Sequence, residues 1–161
     1  MLEKPADISA AKIRIAAMDI LTGREYSRAE LAVKLNKRFD SHPAIQLVLV
    51  QISEEGLQSD KRFAEAFLRS RIYRGHGLSR IRQEIRQKGI ADELLGQALE
   101  GADINWHKLA REVAQRKFGN CQAKDQREKA KRMRFMQYRG FNFEQINYAL
   151  GGSADIDDFS D

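Results

Sequence analysis

Beyond Pro43 the chain runs to Asp161 without another proline, while Gly56, Gly75, Gly77, Gly89, Gly101, Gly119, Gly140 and Gly151 punctuate it. Proline breaks a helix because it lacks the amide N–H and its ring meets the preceding turn, so helices are permitted throughout. Glycine takes the left-handed conformation that commonly follows a helix end. Between these stops, apolar residues recur three and four apart: Ile45, Val48, Leu49, Ile52; Phe63, Ala64, Phe67, Leu68, Ile72; Trp106, Leu109, Ala110, Val113. That is the period of an amphipathic helix, not the alternation of a half-buried strand. Ser27 with Glu30 has capping-box spacing, Ser59-Asp60 stands ahead of a periodic stretch, and Pro43 suits a first helical turn. These signals predict an all-α chain of about nine short helices.

Three segments share one apolar frame: Leu35, Ile45, Leu49; Ile85, Leu95, Leu99; Met136, Ile146, Leu150. The second residue lies ten after the first and the third four after that, with the frames offset by 50 and 51 residues. Two copies also carry a basic residue, a glycine and an apolar residue, Lys88-Gly89-Ile90 and Arg139-Gly140-Phe141, whereas the first reads Lys37-Arg38-Phe39. The first copy must therefore turn differently, with Pro43 nearby to help. In units of about 50 residues surface burial is marginal in isolation, so neighbours should lean on one another as solenoid repeats do. The expected organisation is a tandem array of three three-helix repeats, elongated or curved, at 9–56, 57–101 and 102–151, with a flexible acidic tail at 152–161.

Hydrophobic residues make up 42% of the chain, enough for a packed core. Cys121 is the single cysteine, which rules out an intrachain disulfide and a thiolate metal cluster. Lys4, Asp7, Lys12, Arg14 and Asp19 interrupt every apolar stretch near the N-terminus, and Leu47-Val48-Leu49-Val50 is far too short to cross a bilayer. A cytoplasmic monomer without membrane attachment is expected.

The net charge of +5 hides a strong asymmetry. From Lys61 to Lys88 there are nine basic residues against Glu65 and Glu84, and from Lys108 to Arg139 eleven against Glu112, Asp125 and Glu128. The tail has the opposite sign, with Asp155, Asp157, Asp158 and Asp161. Arginine predominates in the first run, and its planar fork suits carboxylate and phosphate. Arg82 and Arg86 are four apart and Arg71 and Arg74 three apart, so each pair shares a helix stripe where like charges repel unless an acid answers them. An anionic partner is the economical explanation, either nucleic acid or an acidic protein groove. The candidate contact residues are Arg62, Arg69, Arg71, Arg74, Arg80, Arg82, Arg86, Lys88, Arg127, Lys131, Arg134 and Arg139.

Signals for catalysis are weak. His42, His76 and His107 stand apart from any Cys or His at metal-ligand spacing. Gly75-His76-Gly77 reads as a hinge or turn, because no Walker or Gly-x-Gly-x-x-Gly pattern accompanies it. No cofactor, metal or catalytic residue is assigned. Trp106, Phe118, Phe135, Tyr138, Phe141, Phe143 and Tyr148 are read chiefly as core, with Tyr138 beside Arg139 able to stack on a base if exposed.

The ordered string Asp60-Lys61-Arg62-Phe63-Ala64, Arg69-Ser70-Arg71, Arg74-Gly75-His76-Gly77, Arg80-Ile81-Arg82-Gln83-Glu84-Ile85 and Lys88-Gly89-Ile90 resembles the central signature of the RecX family of bacterial recombination regulators. The likeness extends through Tyr26-Ser27-Arg28-Ala29-Glu30-Leu31, Lys34-Leu35, Lys117-Phe118-Gly119 and Tyr138-Arg139-Gly140-Phe141, and so covers nearly the whole chain. Gln58-Ser59 departs from it, standing where the family tends to have an apolar residue followed by an acid. The resemblance implies tandem three-helix repeats, in agreement with the apolar frame. It also implies a non-catalytic protein that binds the RecA recombinase and its filament on single-stranded DNA, inhibiting ATPase, strand exchange and coprotease activity. The rival expectation is a free-standing nucleic-acid-binding helical module, whose affinity would fall steeply with salt.

Overall fold

The computed structural model describes residues 5–151, with side chains from residue 9 onward. The acidic tail expected at 152–161 lies outside the described residues. Within them the chain forms nine helices and no strand: α1 (Pro5–Gly23), α2 (Arg28–Arg38), α3 (Ala44–Glu54), α4 (Asp60–Tyr73), α5 (Leu78–Gln87), α6 (Asp92–Ala102), α7 (Trp106–Phe118), α8 (Gln126–Tyr138) and α9 (Phe143–Leu150). The all-α expectation holds, and so does the number of helices.

Local chemistry sets the starts. The Ser27 hydroxyl accepts from the Glu30 amide and the Glu30 carboxylate accepts from the Ser27 amide, each at 3.1 Å, closing the capping box ahead of α2. Asn142 and Gln145 form the same box ahead of α9, at 2.9 Å in both directions. Pro43 is the N-cap of α3 but has no side-chain cap bond, and His42 Nδ1 instead accepts from the Ala44 amide at 3.0 Å. The departure at Gln58 also has a structural reason. Its buried amide donates to the Tyr26 carbonyl at 3.2 Å and to Asp60 Oδ1 at 2.9 Å, and the same Asp60 oxygen accepts from the Arg28 amide.

The chain gathers into two compact units, residues up to 67 with 85–98, and 68–84 with 99 onward. In the first, Ile13 of α1, Leu31 and Leu35 of α2, and Ile45, Leu49 and Ile52 of α3 form one buried cluster. In the second, Leu109, Ala110 and Val113 of α7 meet Met136, Phe141 and Ile146. Each fully buried Leu, Ile or Phe contributes about 1.5–3 kcal/mol relative to exposure. The apolar frame is therefore realised: Leu35, Ile45, Leu49, Ile85, Leu95, Met136 and Ile146 are all buried, with Leu99 and Leu150 half-buried.

The first repeat does turn differently. Where Gly89 and Gly140 take φ of +77° and +102°, the α2–α3 connection uses Asp40 and Ser41, both at φ +52°. Aspartate tolerates this region better than most side chains because it can hydrogen-bond locally.

Candidate functional site

Much of the basic charge is answered from within the chain. The Arg71 and Arg80 Nε atoms donate to opposite oxygens of Glu84, at 2.7 and 2.9 Å. Arg86 pairs with Asp92 at 3.0 Å, Arg62 with Glu25 at 3.0 Å, and Lys88 with Glu30 at 3.3 Å. Of the two helical pairs, Arg71 and Arg86 thus have an acid within the chain. Arg69, Arg74 and Arg82 are exposed and have no acidic partner among the described residues, and the same holds for Arg127, Lys131 and Arg134.

Glu84 was not singled out by sequence reasoning, although its place four residues after Arg80 marks a helical ion pair. Burial works to raise its pKa, but hydrogen bonds from Arg80 and Arg71 prevail and hold the carboxyl below its ordinary range. His76 is buried beside it, with Nδ1 4.0 Å from Glu84 and no hydrogen-bond partner at that atom. Burial, followed by the nearby Arg80 charge, pushes the imidazole down to about 4, so it is neutral at physiological pH. The surrounding glycines form a packed turn. A Cβ on Gly75 would meet Val113 at 2.7 Å, and one on Gly77 would lie 2.4 Å from the Gly140 carbonyl.

This closeness reveals how the turns meet. The Gly77 amide donates to the Arg139 carbonyl at 2.7 Å, the Ser79 amide to the Gly140 carbonyl at 3.2 Å, and Arg139 Nη1 to the Arg74 carbonyl at 2.9 Å. Thus the α4–α5 turn docks on the α8–α9 turn. An equivalent splice exists one repeat earlier, where the Ser27 hydroxyl ahead of α2 donates to the Lys88 carbonyl of the α5–α6 turn at 2.7 Å. There a Cβ on Gly89 would lie 2.6 Å from Ala29 Cβ. The basic–glycine–apolar motif is therefore the receiving half of an inter-repeat joint. No such splice falls on the α2–α3 turn among the described residues, and at that turn Arg38 stands in place of glycine.

The second splice unites basic residues from the two runs. The Arg80 guanidinium lies over the Tyr138 ring, 5.0 Å from its centroid, and Arg139 lies over Phe135 at 5.2 Å. Tyr138 is 74% exposed, against the core-packing expectation. Phe143 departs from that expectation too and is exposed, whereas Phe141 is buried. Along α8, Arg127, Lys131, Arg134 and Tyr138 are spaced four, three and four apart and form one stripe. Arg132 belongs to another face, donating to Glu128 and to the Cys121 carbonyl at 2.8 Å each. The second unit thus holds Arg69, Arg71, Arg74, Arg80, Arg82 and Arg139 together with the α8 stripe, and Arg80 touches that stripe at Tyr138. Arg62, Arg86 and Lys88 belong to the first unit.

No helix among the described residues is long and apolar enough to cross a membrane. The pattern of the second three-helix domain of RecX matches residues 59–99, and that of the third matches 107–150. The chain belongs to the RecX family. Regulatory protein RecX of Halorhodospira halophila is 42% identical over 153 residues, covering 95% of this chain and 94% of that one. Regulatory protein RecX of Chromohalobacter salexigens is 45% identical, covering 83% of this chain and 88% of that one. The crystal structure of RecX from Lactobacillus salivarius superposes with a TM-score of 0.71 at 20% identity, over 88% of this chain and 94% of that one. At that identity the RecX crystal structure speaks for the fold alone.

Proposed function

We propose that this chain is a non-catalytic regulator that binds RecA filaments on single-stranded DNA and restrains them, as a monomer in the cytoplasm. The reading draws on its RecX relatives, which are named regulatory proteins. The observation that carries the site is the splice, which ties Arg139 to the α4–α5 turn and sets Arg80 over the exposed Tyr138 ring at the end of the α8 stripe. Fixed donors lose less freedom on binding than mobile ones. Such a surface complements acidic protein and phosphate alike, and three-helix repeats at 9–56, 57–101 and 102–151 would let one chain touch successive protomers. Bridged protomers cannot complete the motions that ATP hydrolysis and filament growth require. The test is RecA ATPase on single-stranded DNA with substoichiometric amounts of this protein; a several-fold fall in turnover is expected, and unchanged turnover with unchanged filament length refutes the reading.

The exposed Tyr138 ring favours a second reading, a nucleic-acid module that needs no recombinase. Bases stack on such rings with little regard to sequence. Binding to single strands alone at physiological salt, with no change in ATPase, would select it.

A further inference from the structure

In the second unit the end of α7, the 119–122 connection, Arg132 of α8 and the end of α9 enclose a cleft of about 270 Å³. This is below the ~300–1,000 Å³ that accommodates drug-sized ligands, and it suits the side chains of a peptide. Its lining combines apolar Phe118 and Leu150 with the guanidinium groups of Arg111 and Arg132. Both arginines are held in place: Arg111 lies over Tyr148 at 4.3 Å, and Arg132 lies over Phe118 at 5.0 Å while bonded to Glu128 and the Cys121 carbonyl. Arg132 Nε is buried without a hydrogen-bond partner. Fixed guanidinium groups beside an apolar recess match a carboxylate next to a bulky hydrophobic side chain.

The chain itself carries that combination. Leu150 lines the cleft and ends α9, and residues 151–161 follow it in sequence. They read Gly151-Gly152-Ser153-Ala154-Asp155-Ile156-Asp157-Asp158-Phe159-Ser160-Asp161, with four carboxylate side chains around Ile156 and Phe159. At up to ~3.3–3.6 Å per residue the segment reaches back easily. We propose that the cleft formed by Arg111, Phe118, Arg132 and Leu150 is a docking site for an acidic peptide with an aromatic side chain, and that residues 155–161 of this same chain occupy it. Docking places four carboxylates in the unit that bears the cationic α8 face, so release of the tail raises the positive charge offered to an anionic partner. The inference goes beyond the recombinase reading and stands without it, because its readout is a thiol of this chain.

Cys121 lines the cleft, is exposed and is the chain's single cysteine, so its alkylation reports occupancy. The experiment compares N-ethylmaleimide labelling rates of the full chain, a chain ending at Gly151, and the Phe159→Ala chain. N-ethylmaleimide is neutral, so charge repulsion of the reagent does not contribute. A short tether gives millimolar effective concentration, at which a contact of ~0.1 mM protects about tenfold. The expected result is labelling about tenfold faster after truncation, substantially faster in Phe159→Ala, and slowed again when a peptide of residues 153–161 is added to the truncated chain. Equal rates in all three chains overturn the proposal. So does acceleration by truncation alone, since bulk near the thiol rather than a seated aromatic would then explain it, and so does protection that grows with protein concentration, which places the tail in another copy.

Discussion

The amide of Gly77 donates to the carbonyl of Arg139 at 2.7 Å, joining turns that lie more than sixty residues apart in the chain. Two backbones come this close only where side chains are absent on the approaching faces, and glycine supplies that at 77 and at 140. The same contact carries Arg80 onto Tyr138, so one packing event both builds the joint and composes the candidate surface.

Gly77→Ala is therefore expected to cost about 1–3 kcal/mol, because its Cβ meets the Gly140 carbonyl at 2.4 Å and backbone yields less readily than a side-chain end. Gly96→Ala inside α6 meets nothing within 4 Å and should instead add about 0.5–1 kcal/mol through helix propensity. Urea denaturation of the two variants checks both signs. Equal effects would mean that the splice does not constrain the fold.

His76 sets the acid sensitivity. Its pKa is about 4 in the folded chain against an ordinary 6.5, so between those values the unfolded chain takes up a proton that the folded chain refuses. The stability from neutral His76 is complete above pH 6.5 and is lost as the pH falls toward 4, by up to about 3 kcal/mol at 1.36 kcal/mol per unit. Glu84, with its pKa lowered from 4.5, loses its contribution only below that value, so the upper window belongs to the imidazole. Denaturant midpoints measured from pH 7 to pH 5 should fall in the parent and stay nearly flat in His76→Gln.

The helices were legible because each obeys a local rule, such as the capping box of Ser27 and Glu30 or the apolar period of Ile45 to Ile52. The glycine motif was legible as a repeat but not as a joint, since its purpose depends on Gly77 and Ser27, fifty or more residues away. The charges divided for the same reason. Asp92 and Glu25 answer Arg86 and Arg62 across turns that sequence spacing does not measure, whereas the α8 stripe is local and could be counted directly. Tyr138 closes the exposed α8 stripe of Arg127, Lys131 and Arg134, whereas Phe141, past the end of that helix, is buried, and no helical spacing reaches across the turn to place it.

Those two rings should respond to truncation in opposite ways. Phe141→Ala removes a ring that is 4% exposed and should cost about 3–5 kcal/mol. Tyr138→Ala should leave the unfolding midpoint nearly unchanged, because the ring is exposed. If bases stack on it, the same change weakens single-strand binding by about 1–3 kcal/mol, measured by fluorescence anisotropy at fixed salt. Binding unaffected by Tyr138→Ala would assign the surface to protein contact alone.

The α8 stripe separates binding from folding most cleanly. Arg127, Lys131 and Arg134 are exposed and lack acidic partners among the described residues, so the combined Arg127→Gln, Lys131→Gln, Arg134→Gln chain should keep its helical circular dichroism. Arg127 lies in the first turn of α8, where the helix dipole disfavours a cation by about 0.3–1 kcal/mol, so neutralising it should not lower stability. Each phosphate contact on a single strand contributes about 0.7 to the slope of log affinity against log salt. Removing three should flatten that slope by about 2 and reduce inhibition of RecA ATPase in parallel. A variant that inhibits as well as its parent with an unchanged salt slope would show that these cations are only solvated helix surface.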